Sequence, residues 1–130
     1  MNEGHLEGKR VLVIEDTAEN MRLFRAVLRL DGAEIYEAAD ARTGIEMACE
    51  KQPDIILMDI QMPDMDGLEA TRILRGEART KDIPIVAVTA SVMDSDRDKT
   101  LEAGCNGHLP KPIDPMTFAS QIAVFLRPES

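Results

Sequence analysis

The chain alternates short continuous apolar runs with stretches in which apolar residues recur every three or four positions. A short apolar run is typical of a strand buried on both faces, and the wider spacing is typical of an amphipathic helix. The predicted strands comprise residues 11–14, 34–37, 55–58, 85–88 and 107–109. A helical segment follows each of them, so five β units alternate with five α units.

The predicted helices are marked by their apolar residues and by the residues that end them. In chain order the marking residues are Met21, Phe24, Val27 and Leu28; Ile45, Ala48 and Cys49; residues 68–74; residues 93–103; and Phe118, Ile122 and Phe125. Gly32 ends the first helix, and the second stops before Pro53. The fourth helix is polar, and Leu101 is its main predicted anchor.

This alternation predicts an α/β fold with a parallel sheet covered by helices on both faces. A chain of 130 residues with 44% hydrophobic residues has the size and composition of one folded domain. We expect a flexible N-terminal arm over residues 1–8 and a single domain over residues 9–127. In open parallel sheets, ligands bind outside the carboxyl ends of the strands.

The formal net charge of −9 narrows the range of partners. An acidic surface repels nucleic acid and anionic lipid, so we expect no nucleic-acid partner. There is no apolar run of the length that membrane insertion requires, and the first ten residues lack a secretory signal, so we expect a cytoplasmic protein. Cys49 and Cys105 are then predicted to be reduced, small core-type residues.

Polar residues stand at the carboxyl ends of the apolar strands. Glu15 and Asp16 follow the first strand, Asp59 ends the third, Thr89 ends the fourth, and Lys111 follows the fifth. One acid after one strand is typical of a solvated strand end. If strands one, three, four and five are neighbours, however, all five side chains converge on one crevice.

Three carboxylates in one crevice repel each other, so either one of them is protonated or a cation joins them. The available ligands are hard oxygen atoms, which favour Mg²⁺. Lys111 offers a point charge suited to a phosphoryl oxygen, and Thr89 offers a hydroxyl donor. A carboxylate nucleophile with these groups suits phosphoryl transfer to an aspartate.

Four segments resemble the signature segments of response-regulator receiver domains: VLVIEDTAEN, PDIILMDIQMPDMDGLEATR, IPIVAVTAS and GHLPKPI. The resemblance covers residues 9–127, and the wording is most similar to that of stand-alone DivK-type single-domain regulators. It implies a flavodoxin-like receiver fold, in which a five-stranded parallel sheet has the order 2-1-3-4-5.

The resemblance also implies a role for each acid in the crevice. Asp59 would accept the phosphoryl group. Asp16 and Asp59 would ligate Mg²⁺ together with the backbone carbonyl of Gln61. Many family members have Asp where this chain has Glu15, and the longer side chain leaves direct and water-mediated contact with the metal both open.

Three further features follow from the resemblance at the fourth and fifth strands. Lys111 would pair with the phosphoryl group, Thr89 would move to hydrogen-bond it, and the Lys111–Pro112 peptide bond would be cis. His108 stands where the family usually places a rotating aromatic residue. It is therefore either a switch residue or a half-exposed strand residue.

The function predicted from these features is that of a single-domain response regulator. It would be phosphorylated by a histidine kinase or a histidine phosphotransfer protein, lose the phosphoryl group slowly by itself, and bind a downstream protein effector. It would not be an enzyme beyond this self-phosphorylation and self-dephosphorylation. The expected output surface is the face formed by the fourth helix, the fifth strand and the fifth helix.

Two alternatives remain at this stage. The chain could be a receiver domain excised from a hybrid histidine kinase, although its start at Met1 and its end soon after the last helix favour a complete protein. It could also be a haloacid dehalogenase-type phosphatase, which likewise uses an aspartate and Mg²⁺. That class requires a DxD element and a cap, whereas the segment after the first strand is EDTA, and the chain is short.

Overall fold

The structure is a computed structural model that describes residues 6–62, 65–90 and 94–126, with the backbone alone for residues 94–96. Strands and helices alternate along the chain as predicted. They are β1 (Arg10–Ile14), α1 (Ala18–Leu30), β2 (Glu34–Ala38), α2 (Ala41–Lys51), β3 (Ile55–Asp59), α3 (Gly67–Gly76), β4 (Ile85–Thr89), α4 (Asp94–Ala103), β5 (Gly107–Pro110) and α5 (Phe118–Ala123).

The five strands form one parallel sheet in the order β2-β1-β3-β4-β5. This confirms the predicted order. The register aligns the carboxyl ends of the central strands, since Asp59 lies opposite Val88 and Thr89 lies opposite Pro110. Polar residues at these strand ends therefore meet at one edge of the sheet.

The core consists of two layers, one on each face of the sheet. Alternate residues of one strand enter different layers: Val11 and Val13 pack with α1 and α5, whereas Leu12 and Ile14 pack with α2 and α3. This two-sided burial explains why the strands are continuous apolar runs. The predicted α/β architecture with helices on both faces is confirmed.

Local sequence signals account for the helix ends. The Asp40 and Asp66 side chains accept hydrogen bonds from the backbone N–H of Thr43 and Glu69, which caps α2 and α3 at their N-termini. Gly32, just after α1, has a φ of +87°, a conformation that glycine adopts without steric cost. None of the helices in the described part of the chain combines the length and apolar character needed to cross a lipid bilayer.

The prediction for the fourth helix was wrong in one respect. Leu101 is 48% exposed, and the buried side chains among residues 97–103 are those of Thr100 and Ala103. These two residues are three positions apart and share the helix face that meets the sheet. The predicted start of this helix at residue 93 lies outside the described residues.

The N-terminal arm predicted over residues 1–8 differs from the structure at residues 6–8. The Leu6 side chain is fully buried in the core beside α1, and its backbone N–H donates to Asp31 Oδ2 at 2.7 Å. The Gly8 N–H donates to Gly32 O at 3.1 Å. Burial of one apolar side chain thus fixes this segment to the domain. Residues 1–5 and residue 127 lie outside the described residues.

Candidate functional site

Three carboxylates meet at the carboxyl edge of the sheet. Glu15 and Asp16 directly follow β1, and Asp59 is the last residue of the adjacent strand β3. One oxygen of each carboxylate lies within 4.8 Å of the others. Glu15 and Asp59 are buried, with 1% and 5% of their surfaces exposed, whereas Asp16 is exposed to solvent.

A lysine ammonium group lies among these carboxylates. Lys111 Nζ is 2.9 Å from Glu15 Oε1 and 3.3 Å from Asp59 Oδ1. The backbone positions this lysine, because its N–H donates to Thr89 O at 2.8 Å. The following Lys111–Pro112 peptide bond is cis, as the resemblance implied.

Backbone N–H groups complete the contacts of the two buried acids. Gln61 N donates to Asp59 Oδ1 at 3.1 Å, and Thr17 N donates to Glu15 Oε2 at 3.1 Å. Both oxygens of Glu15 thus have a partner, Lys111 on one side and Thr17 on the other. Glu15 therefore connects the loop after β1 to the loop after β5.

Burial and crowding set the charge state of the site. Burial of Asp59 and the neighbouring Glu15 carboxylate raise the pKa of Asp59 to about 7, although Lys111 acts in the opposite direction. Burial lowers the pKa of Lys111, but the hydrogen bond to Glu15 and the charge of Asp59 outweigh it, so this pKa is raised. Lys111 is therefore a cation that the surrounding acids stabilise.

The donor set fits a divalent cation with a preference for oxygen. Within the described residues, the cluster that could hold a metal consists of carboxylates alone, from Glu15, Asp16 and Asp59. Burial and the repulsion between these carboxylates raise the pKa of Asp59, and a bound cation relieves the repulsion. Hard carboxylate oxygens without histidine or cysteine suit Mg²⁺ better than Zn²⁺.

A glycine allows α3 to begin against Asp59. A Cβ at Gly67 would lie 2.5 Å from Asp59 O and 2.8 Å from the Cα of Ile60. The Gly67 N–H also donates to Ile60 O at 2.9 Å. The absence of a side chain at position 67 therefore allows the start of α3 to lie against the backbone of Asp59 and Ile60.

A small cavity of about 110 Å³ lies beside the site, between β4, β5 and α4. Its lining includes Gln61, Thr89 and His108. The Thr100 hydroxyl donates to Arg97 O at 2.7 Å, and its oxygen lies 3.3 Å from His108 Nδ1, where the tautomer of the imidazole decides which group donates. His108 thereby connects β5 to α4 next to Thr89.

The structure brings together the side chains of Glu15, Asp16, Asp59 and Lys111, and it places Gln61, Thr89 and His108 directly beside them. Sequence reasoning did not identify the contributions of Thr17, Gly67 and Thr100. A glycine next to the helix-capping Asp66 was the one available signal for Gly67. The contact between Thr100 and His108 joins two elements, and no local pattern marks it.

Comparison with known proteins agrees with this geometry. Residues 11–123 match the family model described as the response regulator receiver domain. The polar-differentiation response regulator DivK of Brucella ovis is 39% identical over 121 residues, which cover 91% of this chain and 96% of that protein. DivK of Brucella anthropi is 36% identical over 118 residues, with the same coverage of both chains.

Solved structures show the same fold. The chemotaxis protein CheY4 of Vibrio cholerae superposes with a TM-score of 0.87 at 27% identity, covering 92% of this chain and 99% of that one. The receiver domain of the sensor histidine kinase PA1611 from Pseudomonas aeruginosa has a TM-score of 0.84 at 32% identity and covers 91% and 97%. That structure has a magnesium ion coordinated in its active-site cleft.

Proposed function

The chain belongs to the response regulator receiver family, and from this premise we propose that it accepts a phosphoryl group on Asp59. The donor is a histidine kinase or a histidine phosphotransfer protein. The phosphorylated domain passes the signal on by binding a downstream protein effector.

The observation that supports this proposal best is the position of Asp59. Its carboxylate ends the central strand β3, is nearly buried, and lies 3.3 Å from Lys111 Nζ. An Asp59 oxygen attacks the phosphorus atom of the phosphohistidine, an O–P bond forms, and the N–P bond breaks. The electron pair returns to the donor imidazole, and Asp59 becomes an acyl phosphate.

The side chains of Lys111 and Thr89 then bind the phosphoryl oxygens. Lys111 exchanges its contact with the Asp59 carboxylate for a contact with the more negative phosphoryl group. The hydroxyl of Thr89, at the end of the adjacent strand β4, donates a hydrogen bond to it. These groups neutralise and align the phosphoryl group, which is most of what such a transfer requires.

Mg²⁺ is the proposed cofactor, and the PA1611 receiver supports this choice because magnesium is coordinated in its cleft. Asp16, Asp59 and the backbone carbonyl of Gln61 would hold the ion. When bound, it neutralises charge on the transferring phosphoryl group. Glu15 would act near the ion through water, while its two oxygens hold Lys111 and the Thr17 N–H.

The decisive experiment is phosphorylation by acetyl phosphate in the presence of Mg²⁺, followed by intact-mass measurement. We expect one base-labile phosphoryl group on the wild type and none on Asp59→Ala. Asp98→Asn, which alters an exposed acid on α4, is the matched control and should be labelled like the wild type. Equal labelling of Asp59→Ala would overturn the assignment.

The identity of the physiological donor requires a separate experiment. Purified histidine kinases and phosphotransfer proteins of the host, loaded with phosphate, should transfer it to the wild type at very different rates. A single preferred donor would define the pathway. Transfer at equal rates from every donor would contradict a dedicated partner.

A further inference from the structure

One guanidinium group near the C-terminal end of α3 joins three parts of the fold. The hydrogen bonds of Arg75 run from Nε to Gly104 O at 2.9 Å, from Nη1 to Lys81 O at 2.9 Å and to Ile83 O at 2.8 Å, and from Nη2 to Asn106 Oδ1 at 2.6 Å. These acceptors belong to the connection between α3 and β4 and to the connection between α4 and β5. Arg75 thus holds both connections against the end of α3.

The joint is closely packed where α4 ends. Gly104 has a φ of +115°, and a Cβ at this position would lie 2.7 Å from Arg75 Cγ. Asn106 Oδ1 also accepts from Ile85 N at 2.9 Å, and Asn106 N donates to Ile85 O at 2.7 Å. The segment after α4 is therefore tied both to α3 and to the first residue of β4.

The other end of α4 follows Thr89 along the chain, and Thr89 ends its strand at the edge of the sheet where the candidate phosphorylation site lies. Ile85 and Thr89 are the first and last residues of β4, which places them about 13 Å apart at roughly 3.3 Å per residue. Among residues 97–103, the buried side chains are Thr100 and Ala103, in the C-terminal half of the helix. Within residues 97–103, the buried side chains thus lie toward the connection that Arg75 holds.

We propose that Arg75 is a positioning residue for the response to phosphorylation: it fixes the C-terminal end of α4, so that the helix pivots about Gly104. The displacement is then largest at the end next to Thr89. A guanidinium group suits this role because its planar fork of donors binds several carbonyl oxygens at once. The inference rests on the proposed phosphorylation of Asp59.

The test is amide NMR with hydrogen exchange on the Mg²⁺-loaded protein, with and without beryllofluoride as a stand-in for the phosphoryl group. In the wild type, chemical-shift changes should decrease from residue 97 to residue 106, and exchange at residues 104–106 should not change. In Arg75→Met, amide exchange at residues 104–106 should become about tenfold faster, because this segment loses its hydrogen bonds to the guanidinium group. The changes caused by beryllofluoride should then extend to these residues.

Arg72→Met, which alters an exposed arginine on the same helix, is the control and should behave like the wild type. If Arg75→Met does not fold, Arg75→Lys, which keeps the charge but has fewer donors, should show the same effects at smaller size. Wild-type changes that are uniform or strongest at residues 103–106 would overturn the pivot alone, as would an Arg75 variant with the wild-type pattern. A wild type that does not respond to beryllofluoride would overturn the proposed function and the pivot together.

Discussion

At the scale of single residues, the backbone at Asp59 leaves no room for a side chain at the start of α3. The two atoms nearest to a Cβ at Gly67 are Asp59 O at 2.5 Å and Ile60 Cα at 2.8 Å. Both are backbone atoms, so no change of rotamer relieves the overlap. Gly76, at the other end of the same helix, has no atom within 4 Å of the corresponding position.

We therefore expect a substitution by alanine to be destabilising at Gly67 and to have little effect at Gly76. Gly67→Ala should lower the free energy of unfolding by about 1–3 kcal/mol, as overpacking does, and should slow phosphorylation by acetyl phosphate. Gly76→Ala should change that free energy by less than about 1 kcal/mol and leave the phosphorylation rate unchanged. Urea unfolding and intact-mass kinetics measure both quantities. Equal effects of the two substitutions would show that the close approach at Gly67 has no functional role.

The convergence of residues at the site was predictable because strand ends in a parallel sheet share one edge. Placing Asp59 and Lys111 there required the strand pattern and, in addition, the strand order that the family resemblance implied. The contact between Thr100 and His108 was not predictable, because it depends on which face of a polar helix turns toward the sheet. The role of Glu15 in holding Lys111 also depends on atomic distances that no sequence pattern contains.

At the scale of secondary-structure elements, α4 is the helix that the described contacts hold least through apolar burial. Its exposed Leu101 and buried Thr100 explain why the helical pattern in the sequence was weak. Thr89 ends β4, the strand next to the one that Asp59 ends, and it lines the cavity that Lys99 and Thr100 of α4 also line. Loss of the Thr89 hydroxyl should therefore separate phosphoryl acceptance from the response of α4.

Thr89→Ala should still accept a phosphoryl group on Asp59 but lose most of the conformational shift. A hydrogen bond to a charged group contributes about 1.5–3 kcal/mol, so the ratio of the switched to the unswitched state should fall by about 10- to 150-fold. Amide NMR with beryllofluoride measures the shift across residues 97–109. Thr89→Ser, which keeps a hydroxyl, should restore it. If beryllofluoride causes the same chemical-shift changes in Thr89→Ala as in the wild type, Thr89 does not couple the site to α4.

Element boundaries were predictable wherever a local residue fixes them. The glycine after α1 and the capping aspartates of α2 and α3 are recognisable in the sequence. The prediction that Leu101 anchors α4 was wrong, because one leucine in a polar helix does not reveal which face is buried. At the N-terminus, Leu6 is one apolar residue in a polar segment, so its burial had no periodic signal.

At the scale of the whole molecule, the acidic site should make stability depend on Mg²⁺. An ion that binds only the folded state adds RT ln(1 + [Mg²⁺]/Kd), about 1.4 kcal/mol at about ten times Kd. Asp16→Asn should reduce this gain, whereas Glu102→Gln, which alters an exposed acid on α4, should not. Melting temperatures at several Mg²⁺ concentrations measure the effect. A melting temperature of the wild type that does not change with Mg²⁺ concentration would contradict a metal site here.

The size of the Mg²⁺ effect should also depend on pH, and the raised pKa of Asp59 gives the direction. Burial and the Glu15 carboxylate raise this pKa to about 7 in the metal-free fold, against about 3.9 in an unfolded chain. A raised carboxyl pKa means that the fold disfavours the ionised form. The metal-free protein therefore loses stability as the pH rises from about 4 to about 7, and the loss is complete above that value.

Mg²⁺ binds the ionised carboxylate and removes this penalty, so the gain in melting temperature on adding Mg²⁺ should be larger at pH 8 than at pH 5.5. The midpoint of the increase should lie below or near pH 7, because the metal competes with the proton. In Asp59→Asn, which has no ionisable group at this position, the gain should be smaller and should change less with pH. Thermal unfolding of both proteins across this pH range, with and without Mg²⁺, provides the measurement. A gain that is equal at pH 5.5 and pH 8 in the wild type would show that Asp59 does not change its protonation when the metal binds.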